Sequence, residues 1–533
     1  MQTLPMPLNT RSTSSTTQEV FGGINRRASA GDGDIYDMKN MGSDDYPMLA
    51  TRAPNQVAKA GLTLPKGMFS LNGIHYVDGR DLKYYDPDTG DGDFRLRVES
   101  STKTFCAFGN KIIILPDKVW YDTATGDSGE IEASVTEEVS IQDGTFAEAP
   151  AKANTIYKLN MDWAQYFKVG DAITISGSAI EANNKTIIIR ELIPGSLIFD
   201  ENSFVIPEDG ADETLTLSRT MPDLDFICEC DNRLWGCKGD TVYASKLGDI
   251  TNWYSFGDGI STDSYAVDTG SPGEFTGCIT YLGYPIFFKE DVIFKMYGKA
   301  PSDFQLMRSA SLGVAKGCHK SLAVAGEILF YMARTGVVAY SGATPSDIFL
   351  PFNGEKFTDC VAGSDGRKYH ISMKKADGTW TNAVYDTAFQ TWHIEDDTSV
   401  IDYARDGDTL YSLVRSGTSG TNGTIKKLAQ SEGDEFDSYV EFAEQRLLYQ
   451  GKKRLSKIAL NCTVTQGGFL RILIQYDSSG EWEEVCTLEG DGRNSYYLPI
   501  LPKRCDRFKL KLVGYLPWKL YGITKEFTYG SMN

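Results

Sequence analysis

Apolar positions along the chain come in short runs of four to seven residues, rich in Val, Ile, Tyr and Phe and separated by Gly, Asp and Asn. Helical spacing, with apolar residues at i, i+3, i+4 and i+7, is almost absent. Runs this short between turn residues read as β-strands joined by hairpins. The 52 glycines against 19 prolines favour tight turns over proline-broken linkers. The fold class is all-β.

Seven segments repeat one pattern of strand, tight turn, strand, second polar turn and a strand ending in an aromatic residue. The first runs Met68-Phe69-Ser70-Leu71, turn Asn72-Gly73, Ile74 to Val77, turn Asp78-Gly79, Leu82 to Tyr85. The second turns at Gly109-Asn110, the third at Asp231-Asn232 and the fourth at Leu282-Gly283. The last three turn at Ala325-Gly326, Asp365-Gly366 and Asp406-Gly407. First turn residues are spaced by 37, 51, 43, 40 and 41 positions wherever no insertion intervenes. A period of about 40–50 residues with several strands per repeat predicts a β-propeller, here of about seven blades.

One interval is different: from 109 to 231 is 122 residues. The excess maps to residues 128–219, which read as a small β-domain inserted through an exposed loop. Its centre, Phe167 to Gly177, reads as strand, Gly-Asp turn, strand, with Thr186 to Ile189 and Ser196 to Phe199 as further strands. Beyond residue 430 the period stops. Ser438 to Phe442, Leu470 to Ile474 and Arg507 to Leu512 alternate apolar and polar, as half-buried antiparallel strands do. The predicted division is therefore 1–65 an extended N-terminal arm and propeller entry, 66–127 the first blades, 128–219 the insert, 220–430 the remaining blades and 431–533 a C-terminal β-sandwich.

Composition narrows function by exclusion. With 533 residues, 41% of them apolar, the chain buries several cores and is no disordered polymer. Its 53 Lys+Arg against 72 Asp+Glu leave a net charge of −19, unsuited to adhesion on phosphate backbones. No stretch approaches the roughly 18–20 apolar residues of a spanning helix, so no membrane span is expected. Met1-Gln2-Thr3-Leu4-Pro5 has no basic region followed by an apolar one, which points to folding in a reducing cytoplasm. The ten cysteines lack zinc-ribbon spacing, and Cys228, Cys230 and Cys237 read as buried thiols in strands.

Catalytic signatures are missing as well. His75, His319, His370 and His393 fall on different repeats and within strand patterns, which favours structural roles. Asp86 to Asp93 superficially resembles a calcium loop but fails the EF-hand order, with Arg97 where the bidentate glutamate belongs. Gly31-Asp32-Gly33-Asp34 has no better claim. Ala376-Asp377-Gly378-Thr379-Trp380 approaches the aspartate box of glycosidase propellers, but it occurs once and lacks the leading serine. Accordingly no catalytic, cofactor-binding or metal-ligating residue is assigned, no cofactor is expected, and the chain is expected not to be an enzyme.

One stretch resembles a known family. Asn232-Arg233-Leu234-Trp235-Gly236, Tyr243 to Asp249, Asn252-Trp253, Phe275-Thr276-Gly277, Tyr284 to Glu290, Gly313, Arg334 to Val337 and Tyr340-Ser341-Gly342 are similar to the propeller hub or nozzle proteins of short-tailed bacteriophages. These are also called packaged-DNA stabilisation proteins. Gly22-Gly23-Ile24-Asn25, Asn40-Met41, Tyr46-Pro47-Met48-Leu49 and Arg52 resemble the opening of the same family. The resemblance implies a virion tail protein, assembled in the host cytoplasm, that forms a ring with itself, commonly a hexamer. Such a ring sits below the portal and adaptor, contacts other tail proteins such as fibres or spikes, and meets genomic DNA transiently in its lumen. The alternative is a glycan-binding or glycan-hydrolysing β-propeller.

Overall fold

The computed structural model describes residues 12–144, 153–207, 211–256, 260–416, 422–446, 452–490 and 492–529. Among them strands dominate, and the helical elements are four short 3-10 turns. The chain divides into two compact units. One comprises Phe69–Asp86 with Gly92–His319; the other takes the residues up to Met68, Pro87–Asp91, and Lys320 onward.

In the first unit each repeat becomes a four-stranded antiparallel meander. The second blade is Thr104–Phe108, Lys111–Leu115, Val119–Asp122 and Ser128–Glu130. The third is Phe226–Cys230, Arg233–Lys238, Thr241–Ala244 and Tyr265–Asp268; the fourth runs from Gly277–Tyr281 to Gln305–Ala310. Most of the first blade, ending in Gly92–Arg97, lies here too. The core sits between blades, because one sheet cannot bury both of its faces alone. Val77 and Leu82 meet Ile112, Ile114 and Tyr121; Cys106 and Ile113 meet Leu234 and Trp253; Trp235 and Val242 meet Phe287 and Phe294.

The second unit holds the blades beginning at Ala323–Ala325, Phe357–Ser364 and Val400–Asp406. The last of these is completed by Gln56–Leu62, which pairs with Asn422–Lys427 some 360 residues later. Six four-stranded meanders and a seventh four-stranded sheet closed by Gln56–Leu62 make the fold a β-propeller, as the spacing predicted. Turn registers differ in detail. Asp231-Asn232 and Leu282-Gly283 are two-residue turns with both φ positive. At two other sites the turn slips by one, to Gly326-Glu327 and Gly407-Asp408. Between Ser364 and Lys368 the connection has three residues, and the Asp365 carboxylate accepts the Arg367 and Lys368 N–H groups.

The sandwich also lies in the second unit, and it corrects the predicted arm. Ser12–Gln18 pairs with Trp518–Tyr529, Ile35–Lys39 with Asp437–Phe442, and Leu49–Thr51 with Trp518–Tyr529. The strands between residues 12 and 51 thus belong to the C-terminal sandwich. Their Ser/Thr-rich composition hid this, because an outer strand carries few apolar side chains. One sheet buries Leu455, Ile458, Leu460, Cys462 and Val464, and the other Phe508, Leu510 and Leu512, none more than 2% exposed. Each such side chain is worth about 1.5–3 kcal/mol of burial.

The insert begins later than the sequence indicated. Ser128–Glu130 belongs to the second blade, and the inserted domain proper runs from Ala133–Gln142 to Glu213–Arg219. Its seven strands enclose a separate core of Val139, Ile156, Trp163, Phe167, Ile173, Leu197, Phe199, Leu215 and Leu217. The strand expected at Phe167 to Gly170 is instead a turn after the 3-10 segment Trp163–Gln165, in which Asp171 accepts the Lys168 N–H.

Candidate functional site

The histidines are packing residues. Burial holds His75 at a pKa of about 4, and its ring lies 5.3 and 5.9 Å from those of Tyr84 and Tyr121. Burial, with Lys368 nearby, holds His393 equally low. The sequence placed His370 and His393 on different repeats. Both belong to the sixth blade, where each pairs across Val384. His319 packs its ring 5.1 Å from Phe226.

Cys106, Cys228 and Cys278 lie on the first strands of three consecutive blades, where small side chains let those strands adjoin. The Cys278 thiol and burial push Cys228 well above the usual thiol range, and burial does the same for Cys106 and Cys278. Burial there disfavours the thiolate, the reactive form of cysteine. Among the described residues no group of three His, Cys, Asp or Glu is placed to hold a metal ion. The Asp86–Asp93 loop is a turn: Lys59 donates to Gly90 O at 3.0 Å, and Thr89 Oγ1 accepts the Asp91 N–H. Asp34 closes its own turn by accepting the Gly31 N–H at 2.7 Å. In the box-like segment, Asp377 accepts both the Thr379 N–H (2.9 Å) and hydroxyl (2.6 Å), so it caps a hairpin.

Four of the residues that carried the family resemblance, Arg233, Lys246, Asp249 and Asn252, have a shared structural task. Arg233 is 1% exposed and donates to the carbonyls of Ser245, Asp263 and Ser261 at 2.5–2.8 Å, tying these residues to its blade. Buried Asn252 then reaches the inserted domain, donating to Gly170 O at 2.7 Å and accepting the Ala172 N–H at 3.3 Å. Lys246 also donates to Gly170 O, and Asp249 pairs with Lys168 at 2.9 Å. Behind this contact Arg219 binds fully buried Asp171 at 2.6 Å, as well as the carbonyls of Tyr166 and Ile131. Burial raises the Asp171 carboxyl pKa against the pull of Arg219. The third blade thus fixes the insert through one turn, Lys168–Ala172. No sequence signal pointed to this junction, because Asn252 and Gly170 are 82 positions apart.

Charge is divided unevenly among the parts. Residues 133–219 carry 14 Asp+Glu against 6 Lys+Arg, a net −8, whereas residues 431–533 carry 14 of each. About two fifths of the chain's net charge of −19 therefore belongs to the insert.

The sandwich bears a trough of about 490 Å³ on its outer face. Thr17, Thr524, Ala459 and Tyr497 stand in one row across four strands, and the small residues of that row leave the concavity. Tyr497, 72% exposed, forms one wall; Tyr521, with the Arg493 guanidinium 3.8 Å from its ring centre, forms another. Lys457, Asn461 and Glu526 supply polar groups between them.

Searches against protein-family models and against curated proteins find no match. Solved structures do match. The WD40 repeats of RRP9 are 8% identical, over 72% of this chain and 100% of theirs, with a TM-score of 0.36. The U3-55K structure is 7% identical over 70% and 98%, with a TM-score of 0.35. An exo-β-1,3-galactanase of Phanerochaete chrysosporium is 8% identical over 57% and 95%, at 0.22. At such identities and scores these likenesses carry no argument about the role of this chain.

Proposed function

We propose that the chain is a structural subunit of a short bacteriophage tail. Copies of it form a ring, commonly of six in the family it resembles, that extends the DNA channel below portal and adaptor proteins. The ring retains the packaged genome and lets it pass at ejection. The observation that carries this reading is the junction at the third blade. Three of the residues within the resemblance, Lys246, Asp249 and Asn252, hold an accessory domain on a propeller blade, and Arg233 braces the loop that carries them. A propeller blade that presents a separate domain in this way suits a part in an assembly. The net charge of −19 suits a passage for DNA, since a surface that neutralised phosphates would hold the duplex through many contacts. Retention then falls to a steric constriction. Mass photometry of the purified chain tests the reading: a closed ring is expected, and a strict monomer at micromolar concentration refutes it.

A second reading, glycan binding, is favoured by the sandwich trough, where an exposed tyrosine face lies beside Asn461, Arg493 and Glu526. Tyrosine rings stack on sugar faces while such polar groups meet hydroxyls. Binding on a glycan array that disappears in Tyr497→Ala would establish it, and an empty array would remove it.

A further inference from the structure

The inserted domain has a groove of about 590 Å³ between the turn around Leu159–Ala164 and the turn at Ile193–Gly195. Backbone bonds fasten the two turns together: the Lys158 N–H donates to Gly195 O at 2.8 Å, and the Gly195 N–H to Met161 O at 3.0 Å. The groove is therefore preformed. Its walls are apolar, with Leu159 70% and Ile193 38% exposed beside Met161, Leu192 and Pro194. Exposed apolar side chains gathered in one concave place mark a contact surface. Asp162 is the single charged residue of the lining. Trp163 forms part of the wall, and its indole N–H is buried with no hydrogen-bond partner. A buried donor left unmade is costly, so the groove lacks one acceptor.

A segment of the chain has the complementary chemistry. Residues 1–11, Met1-Gln2-Thr3-Leu4-Pro5-Met6-Pro7-Leu8-Asn9-Thr10-Arg11, lie outside the described residues. They contain no Asp or Glu, and Arg11 is their one charged side chain, opposite in sign to Asp162. Alternating prolines favour the polyproline II conformation, whose carbonyls make no internal hydrogen bonds and are free to accept one. Grooves with aromatic and apolar walls bind such segments at low entropic cost.

We propose that this groove receives Leu4–Leu8 of a second copy of the chain. Apolar side chains of the segment pack on Leu159 and Ile193, and one of its carbonyls accepts the Trp163 indole N–H. That a second copy supplies the segment rests on the ring reading above. The test has two arms, both on the full-length protein. In the first, a labelled peptide of residues 1–11 is titrated by fluorescence anisotropy. Saturable binding is expected, weakened at least tenfold by Leu159→Asp and several-fold by Trp163→Phe. Leu159 is exposed, so Leu159→Asp keeps the parent melting temperature; Trp163 is buried in the insert's core, so Trp163→Phe lowers it, and both titrations are read well below that transition. In the second arm, sedimentation velocity compares the parent with Leu159→Asp and Leu4→Asp, each expected to loosen the association of copies at least tenfold. Equal peptide binding by parent and Leu159→Asp overturns the groove assignment, even if the rings persist. Peptide binding that depends on Leu159, combined with association indifferent to both substitutions or with a chain monomeric throughout, overturns the second copy as donor.

Discussion

Removing the Asp171 carboxylate should unfasten the inserted domain, and the cost can be worked from its surroundings. Asp171 is fully buried, and the side chain of Arg219 is 10% exposed. In Asp171→Ala the guanidinium keeps only the carbonyls of Tyr166 and Ile131, at 3.2 and 3.3 Å, to offset its charge. Breaking one side of a buried pair costs about 3–5 kcal/mol, because the remaining charge stays desolvated. Arg219→Met should cost a similar amount, since it leaves a buried carboxylate with the Lys168 N–H as its remaining donor. The double variant buries no lone charge and should cost only about 2 kcal/mol, chiefly lost packing and the Lys168 hydrogen bond. The two substitutions are therefore strongly non-additive, with a coupling on the order of 4–8 kcal/mol. Trp163 is the one tryptophan between 128 and 219. Urea unfolding of variants that retain Trp163 and have the other tryptophans replaced by phenylalanine follows the insert by its fluorescence. If the double variant loses the sum of the single losses, the pair holds nothing and the junction owes its stability to Asn252 and the backbone.

Further outcomes follow from burial and turn geometry. His75 and His393 are neutral in the fold, with pKa values near 4 against an ordinary 6.5, so unfolding takes up protons below pH 6.5. The stability they confer is complete above that pH and declines as pH falls towards 4, by about 2 kcal/mol each at pH 5; His75→Gln should flatten the acid limb of a urea-midpoint profile, and an unchanged limb would refute this. Gly366 has φ +103°, and a Cβ there would approach Arg405 Nη1 to 2.5 Å. Gly366→Val should cost about 1–3 kcal/mol through backbone strain, read by calorimetry, and a neutral result would contradict that conformation. Replacing residues 133–219 by a Gly/Ser linker between Glu132 and Thr220 should leave a soluble propeller with a cooperative melt, because the insert has its own core; aggregation would show that the second and third blades depend on it.

The period of the blades is local information. A turn such as Asp231-Asn232, with both φ positive, and an apolar run on either side are written within ten residues, so the sequence determined that there are seven blades and roughly where each begins. Strand alternation likewise marked the C-terminal sandwich. What the pattern left open is pairing between distant segments. Gln56–Leu62 has a polar, half-exposed pattern and becomes a blade strand only because Asn422–Lys427 offers it an edge. Ser12–Gln18 joins the sandwich through partners such as Thr17 and Thr524, more than 500 positions apart. The junction on the third blade is of the same kind. Arg233, Asn252 and Asp171 are polar residues that a linear reading places in loops, yet all three are buried. Only the tertiary structure supplies the carbonyls and the counter-charge that make their burial affordable, and so only it decided where the accessory domain is held.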